Sequence, residues 1–78
     1  MAIHRVIAGR SFEPEEIAIM VAAFETALSV LRMSNTDDPM TEMVARAIID
    51  IATTGERDPA LMADRAISAT GIKPPSAA

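Results

Sequence analysis

The chain contains no cysteine, tryptophan or tyrosine, and its only aromatic residues are Phe12 and Phe24. Without cysteine there is neither a disulfide framework nor a thiolate for catalysis or zinc binding. With so few aromatic residues, a core has to be built from Ile, Leu, Val, Met and Ala, a set that favours helices over strands. The composition therefore predicts an all-α protein, and a reducing cytoplasm is its expected location.

Long apolar runs and runs of like charge are also missing. The longest apolar run, at 17–24, has eight residues, whereas a helix that spans a bilayer needs roughly 20. The first residues, MAIHRVIAGRS, lack the apolar segment of about seven or more residues that a secretion signal requires. Seven basic and eleven acidic residues give a net charge of −4, without the charge run of a nucleic-acid arm or an acidic tail. We therefore expect a protein that is neither exported nor membrane-bound.

Three acidic-proline pairs mark the expected helix starts: Glu13-Pro14, Asp38-Pro39 and Asp58-Pro59. Proline suits the first helical position because its missing N–H has no partner there, and the residue before it is held in the extended conformation of an N-cap. A carboxylate at that position accepts hydrogen bonds from free backbone N–H groups. Aspartate is the stronger cap, so the pairs predict firm starts at 39 and 59 and a weaker one at 14.

Residues that accept a left-handed conformation mark the expected helix ends. Gly55 and Gly71 close the second and third helices, and Asn35 closes the first. The sequence therefore predicts an all-α, three-helix domain with helices at about 14–33, 39–54 and 59–70. We expect this single domain to occupy 11–71, with an N-terminal arm at 1–10 and a disordered tail at 72–78.

The first helix has apolar residues on two nearly opposite faces when each residue is rotated by about 100°. One stripe contains Ile17, Met20, Val21, Phe24, Leu28 and Leu31. The second stripe contains Ile19, Ala22, Ala23, Thr26, Val30 and Met33. A helix that is apolar on both sides has to be covered on both sides, and two short helices can hardly do so alone. The second stripe is therefore the predicted interface of a homodimer.

The other two helices each carry one apolar stripe. On the second helix the predicted stripe contains Met40, Val44, Ala47, Ile48 and Ile51, widened by Met43 and Ala52. On the third helix it contains Met62, Ala66 and Ala69, flanked by Ala63 and Ile67. Ile49 and Leu61 fall outside these stripes, so we expect each of them to be exposed or to contact a partner.

Residues typical of catalytic or metal sites are few and isolated. His4 is the only histidine, and no triad partner or second metal ligand stands at a usable spacing from it. The Glu-x-x-His motif of di-iron helix bundles is missing, as is any phosphate-binding loop. We therefore expect no catalytic residue, no cofactor and no metal, and an enzyme with a site between subunits is only the third hypothesis.

The order of second helix, turn and third helix also allows a helix-turn-helix DNA-binding protein, which is the main alternative. Against it, Arg65 is the only cation of the third helix and Asp64 stands beside it.

The favoured hypothesis is a small, non-enzymatic protein-interaction or regulatory module that acts as a homodimer. In the turn at 53–59, TTGERDP, the helix end and start leave Glu56 and Arg57 unexplained, so these two are candidate contacts for a partner protein.

The segments GRSFEPEEI, AFETAL and MTEMVARAIIDIATTGERDPALMADRAI carry a resemblance that covers 9–67. They resemble a family of short bacterial proteins of unknown function, many of them from plant-associated and photosynthetic soil lineages. The residues concerned are Phe12, Pro14, Glu15, Ala23, Phe24, Glu25, Ala45, Ile48, Ile49, Gly55, Glu56, Asp58 and Pro59. The resemblance implies a helical fold. It implies no reaction and no catalytic residue, because these positions are helix starts, helix ends and core residues.

Overall fold

The computed structural model describes residue 3 and the ranges 12–33 and 39–72. These residues form three helices, α1 (Pro14–Leu31), α2 (Pro39–Thr53) and α3 (Pro59–Thr70), without a strand. Each helix packs against the other two. The prediction of an all-α, three-helix domain is confirmed, and each helix begins at its proline. The predictions for His4, Asn35, Asp38 and 73–78 lie outside the described residues.

Both ends of α1 are stabilised by hydrogen bonds between residues that are close to each other in sequence. At the start, the Glu16 carboxylate accepts a hydrogen bond from the backbone N–H of Glu13 at 3.1 Å, the reciprocal contact of a capping box. At the end, Arg32 is left-handed with φ 55°, and the N–H of Met33 donates to the Leu28 carbonyl at 2.9 Å. The helix ends two residues before the predicted end at about 33, because the chain turns at Arg32 and Met33 packs against the core.

The turn between α2 and α3 contains the helix end and the helix start that the sequence predicts. α2 ends one residue earlier than predicted, because the Gly55 N–H donates to the Ala52 carbonyl at 3.1 Å and tightens the last turn. Gly55 then takes φ 101°, a conformation that strains any residue with a Cβ atom. Asp58 caps α3 as predicted, since its carboxylate accepts from the Ala60 N–H at 3.0 Å. Gly71 closes the helix at φ 73°, so the predicted bounds of α3 are confirmed.

The core lies where the three helices meet and contains one aromatic side chain, Phe24, among its fully buried residues. The other buried apolar residues are Ile3, Met20, Ala23, Ala27, Leu28, Leu31, Val44, Ala45, Ile48, Ile49, Ala52, Met62, Ala63 and Ala66. Ile3 belongs to the predicted arm and is nevertheless fully buried. Ile72 belongs to the predicted tail and packs against the same core. Both apolar residues therefore add to the contacts of the helical domain.

The core-facing side of α2 differs from the predicted stripe. The buried residues are Thr41, Val44, Ala45, Ile48, Ile49 and Ala52, which recur every three or four positions. The prediction for Ile49 is exposure or contact with a partner, and Ile49 is fully buried in its own chain. Met40 and Met43 are predicted to lie in the core and are 48% and 47% exposed. The prediction is wrong here because it ranked positions by side-chain hydrophobicity and left out the small residues Thr41 and Ala45, which allow close helix packing.

On α3 the structure makes a smaller correction. Met62, Ala63 and Ala66 are buried, as predicted. Ala69 was placed on the same stripe but is exposed, and Leu61, which lay off the stripe, is 36% exposed. The exposed Ala69 lines an open groove together with residues of α2.

Candidate interaction surfaces

The turn at 54–58 is fastened to α1 by the Arg57 side chain. Its Nη1 donates to the backbone carbonyls of Ala52 at 2.8 Å and Glu56 at 2.7 Å. Its Nη2 forms an ion pair with the carboxylate of Glu16, in the first turn of α1. One guanidinium group thus satisfies a carbonyl at the end of α2 and neutralises the capping carboxylate of α1. Sequence reasoning missed this role because Glu16 and Arg57 are 41 residues apart.

The Glu56 side chain is also used within the turn. Its Oε2 accepts hydrogen bonds from the backbone N–H of Arg57 at 3.1 Å and of Asp58 at 3.4 Å. Both predicted partner contacts, Glu56 and Arg57, therefore have intramolecular roles that need no partner. A contact of either residue with another protein stays a prediction.

Replacing Arg57 by alanine should lower the free energy of unfolding by about 1–2 kcal/mol, because a charge-assisted hydrogen bond is typically worth more than a neutral one and partial exposure discounts the ion pair. Urea denaturation monitored by circular dichroism measures the change. Arg65→Ala is the matched control, since Arg65 is an exposed arginine of α3 and should change stability by less than about 0.5 kcal/mol. Equal stability of the two variants would show that Arg57 does not fasten the turn.

The predicted dimer face of α1 is partly covered by the chain itself. Ala23 is fully buried, and Ile19 and Met33 pack against the core. Val30 remains 48% exposed. Ala22 and Thr26 are also exposed, and the Thr26 hydroxyl donates to the Ala22 carbonyl of its own helix at 2.8 Å. The α1 face as a homodimer interface stays a prediction, with Ala22, Thr26 and Val30 as its accessible residues.

A second apolar surface, which sequence reasoning assigned to the core, lies along α2. We call it the methionine strip; it consists of Met40, Met43, Ala47 and Ile51. These residues occupy positions i, i+3, i+7 and i+11, which fall on one face of a helix. Met40 and Met43 are about half exposed, and Ala47 and Ile51 are half-buried. The only sequence signal for this surface was the width of the predicted α2 stripe, which is too broad for a single core-facing side.

The methionine strip borders an open groove with a volume of about 460 Å³. Its described lining consists of Met43, Arg46, Ala47, Asp50, Ile51 and Thr54 from α2 and the turn, and Ala69 and Thr70 from α3. Its apolar floor between two helices is of the kind that accepts an apolar side chain or an amphipathic helix. Arg46 and Asp50 place one charge of each sign along the same edge of α2.

The charges beside the groove are largely accessible. The Arg46 guanidinium forms a 2.9 Å ion pair with Glu42, one turn before it on α2, and the Arg46 side chain is still 67% exposed. Asp50 is exposed as well. An exposed pair of this kind contributes only a few tenths of a kcal/mol, so Arg46 can meet another carboxylate at little cost.

The described residues offer no metal-binding cluster, meaning no group of three or more His, Asp or Glu side chains placed around one point. Within the same ranges, no helix is both long and apolar enough to cross a bilayer. α3, described along its whole length, presents Arg65 with Asp64 beside it on its exposed side. This helix offers little positive charge for a DNA groove.

Comparison with protein-family models, with curated proteins and with solved structures finds no match to this chain. The resemblance to short helical bacterial proteins therefore stays a hypothesis. The methionine strip, the groove and the exposed part of α1 are the features from which a function has to be argued.

Proposed function

We propose that this chain is a small, non-enzymatic protein-interaction module that acts as a homodimer. The observation that carries the proposal is the methionine strip, two half-exposed methionines and two further apolar residues beside an open groove. Methionine side chains are flexible and polarizable, and they are common at surfaces that adapt to a protein partner. The location that fits this proposal is the cytoplasm predicted from the sequence.

The size of the chain supports self-association. A domain of about 60–80 residues buries a modest share of its unfolded surface and gains little stability from one core. Here four of the larger apolar residues, Val30, Met40, Met43 and Leu61, remain at least 36% exposed. Covering the methionines with a second chain adds buried apolar area without lengthening the sequence.

The homodimer is tested by light scattering coupled to size-exclusion chromatography at tens of micromolar. We expect a mass of about twice the 8.3 kDa of one chain. The double variant Met40→Glu with Met43→Glu should give a monomer with unchanged helix content, because two charges on the methionine strip would have to be desolvated in the dimer. A wild-type mass near 8.3 kDa would overturn the homodimer.

The matched control is Val30→Glu, which places the same charge at an equally exposed apolar position on α1. It should leave the dimer intact. If Val30→Glu gives the monomer and the methionine variant stays dimeric, the homodimer uses the α1 face instead. DNA binding remains the alternative function, and a gel shift at low salt that shows nonspecific binding would favour it.

A further inference from the structure

The methionine strip and the groove share one face of α2, because Met43, Ala47 and Ile51 belong to both. Met40 and Met43 project from the N-terminal half and are about half exposed. Ile51 and Thr54 line the groove from the C-terminal half, and Ala69 and Thr70 of α3 line it as well. The two exposed methionines therefore stand toward one end of the groove face, and Ile51 and Thr54 line its other end.

We propose that a second copy of this chain occupies the groove, with the two α2 helices antiparallel about a two-fold axis near Ala47. This inference rests on the homodimer proposed above. Residues 43 and 51 stand four positions on either side of Ala47, about 6 Å along the helix at 1.5 Å per residue. The two-fold rotation therefore brings Met43 opposite Ile51 of the partner subunit, and Met40 near the groove lined by Thr54.

The crossing point suits close contact between the helices. Ala47 is small and only half-buried within its own chain, so two copies allow the backbones to approach to the short end of the usual 8–10 Å between helix axes. Methionines on either side of this point fill the groove from both directions. The same surface then serves as both halves of an isologous interface.

The charged residues Arg46 and Asp50 are compatible with the same two-fold symmetry. In an antiparallel pair each flank of a helix meets the same flank of its partner, and Arg46 and Asp50 lie on one flank of the methionine strip. With the axis at Ala47, Arg46 and Asp50 of the partner subunit differ by two positions along the helix, about 3 Å. Two Arg46–Asp50 attractions therefore form across the interface. The two Arg46 side chains are also about 3 Å apart along the helix axis, so these two attractions act against one repulsion.

The experiment is a charge reversal at these two positions, measured as the dimer dissociation constant by analytical ultracentrifugation. In the Arg46→Glu variant the new carboxylate at position 46 faces Asp50 of the partner subunit in both pairs. In the Asp50→Lys variant the new ammonium group at position 50 faces Arg46 of the partner subunit. Each single variant should raise the dissociation constant at least about tenfold, from the loss of two attractions and the gain of two repulsions. Circular dichroism checks that each variant keeps its helix content.

Mixing the two variants supplies the decisive measurement. In a mixed dimer one chain carries two acidic residues at positions 46 and 50 and the other carries two basic ones, so both cross-interface pairs are attractive again. An equimolar mixture should therefore form a heterodimer with a dissociation constant within about threefold of the wild-type value. Arg65→Glu and Asp64→Lys make the same changes on the exposed side of α3 and should leave the dissociation constant unchanged.

The possible outcomes separate this inference from the proposal on which it depends. If the wild-type chain dimerises and both single variants dimerise with the same dissociation constant, the antiparallel arrangement is overturned. The homodimer itself is then unaffected. Single variants that weaken the dimer without recovery on mixing would also overturn it. A wild-type chain that stays monomeric would overturn both.

Discussion

Phe24→Ala is expected to leave most of the chain unfolded at room temperature. Phe24 is fully buried and is the largest side chain in the core. Removing a buried phenylalanine ring costs about 3–5 kcal/mol, because the transfer free energy is lost and a cavity is left. A single core in a chain of this size rarely contributes more than about 3–5 kcal/mol of net stability. The substitution therefore removes most of the margin that keeps the domain folded.

Helix content by circular dichroism and a urea titration measure this effect. Phe24→Leu is the control, because it keeps an apolar side chain at the site and should retain a cooperative transition at a lower urea midpoint. A second control is Phe12→Ala, which removes the other phenylalanine from a half-buried position at the edge of the core. A folded Phe24→Ala variant would show that the three helices are stable without the ring.

The helix limits could be predicted from the sequence because they depend on neighbouring residues. Pro14, Pro39 and Pro59 each open a helix as predicted, and Gly71 closes α3 where expected. Proline, an acidic cap and a left-handed glycine act within one turn of the helix end, so their effect does not depend on the rest of the fold. The larger error at a helix end, at Arg32, has a tertiary cause, since Met33 packs against the core there.

The candidate site could not be predicted in the same way, because it depends on how the helices are rotated against one another. An apolar stripe gives the side of a helix that prefers burial, but a stripe wider than one contact surface leaves several rotations open. The rotation of α2 in the structure buries Thr41 and Ala45 and exposes Met40 and Met43. The fastening of the turn by Arg57 was missed for a related reason, since its partner Glu16 is distant in sequence.

The rotation of α2 leads to a second large effect, in which Ile49→Ala should be far more destabilising than Met43→Ala. The predicted stripe implies the opposite order, because it places Met43 in the core and Ile49 outside it. In the structure Ile49 is fully buried and Met43 is 47% exposed. Truncating a buried isoleucine costs about 2–5 kcal/mol, whereas truncating a half-exposed methionine on a monomer should cost less than about 1 kcal/mol.

Urea titrations of both variants at two protein concentrations make this comparison. If Met43 lies in a homodimer interface, Met43→Ala loses stability mainly at the higher concentration, because association adds to stability by mass action. The Ile49→Ala variant should lose a similar amount of free energy of unfolding at both concentrations, since Ile49 faces the core of its own chain. If Met43→Ala is the more destabilised variant at the lower concentration, α2 is rotated as the sequence alone suggested. The methionine strip would then lie in the core, and no surface for a second copy would remain there.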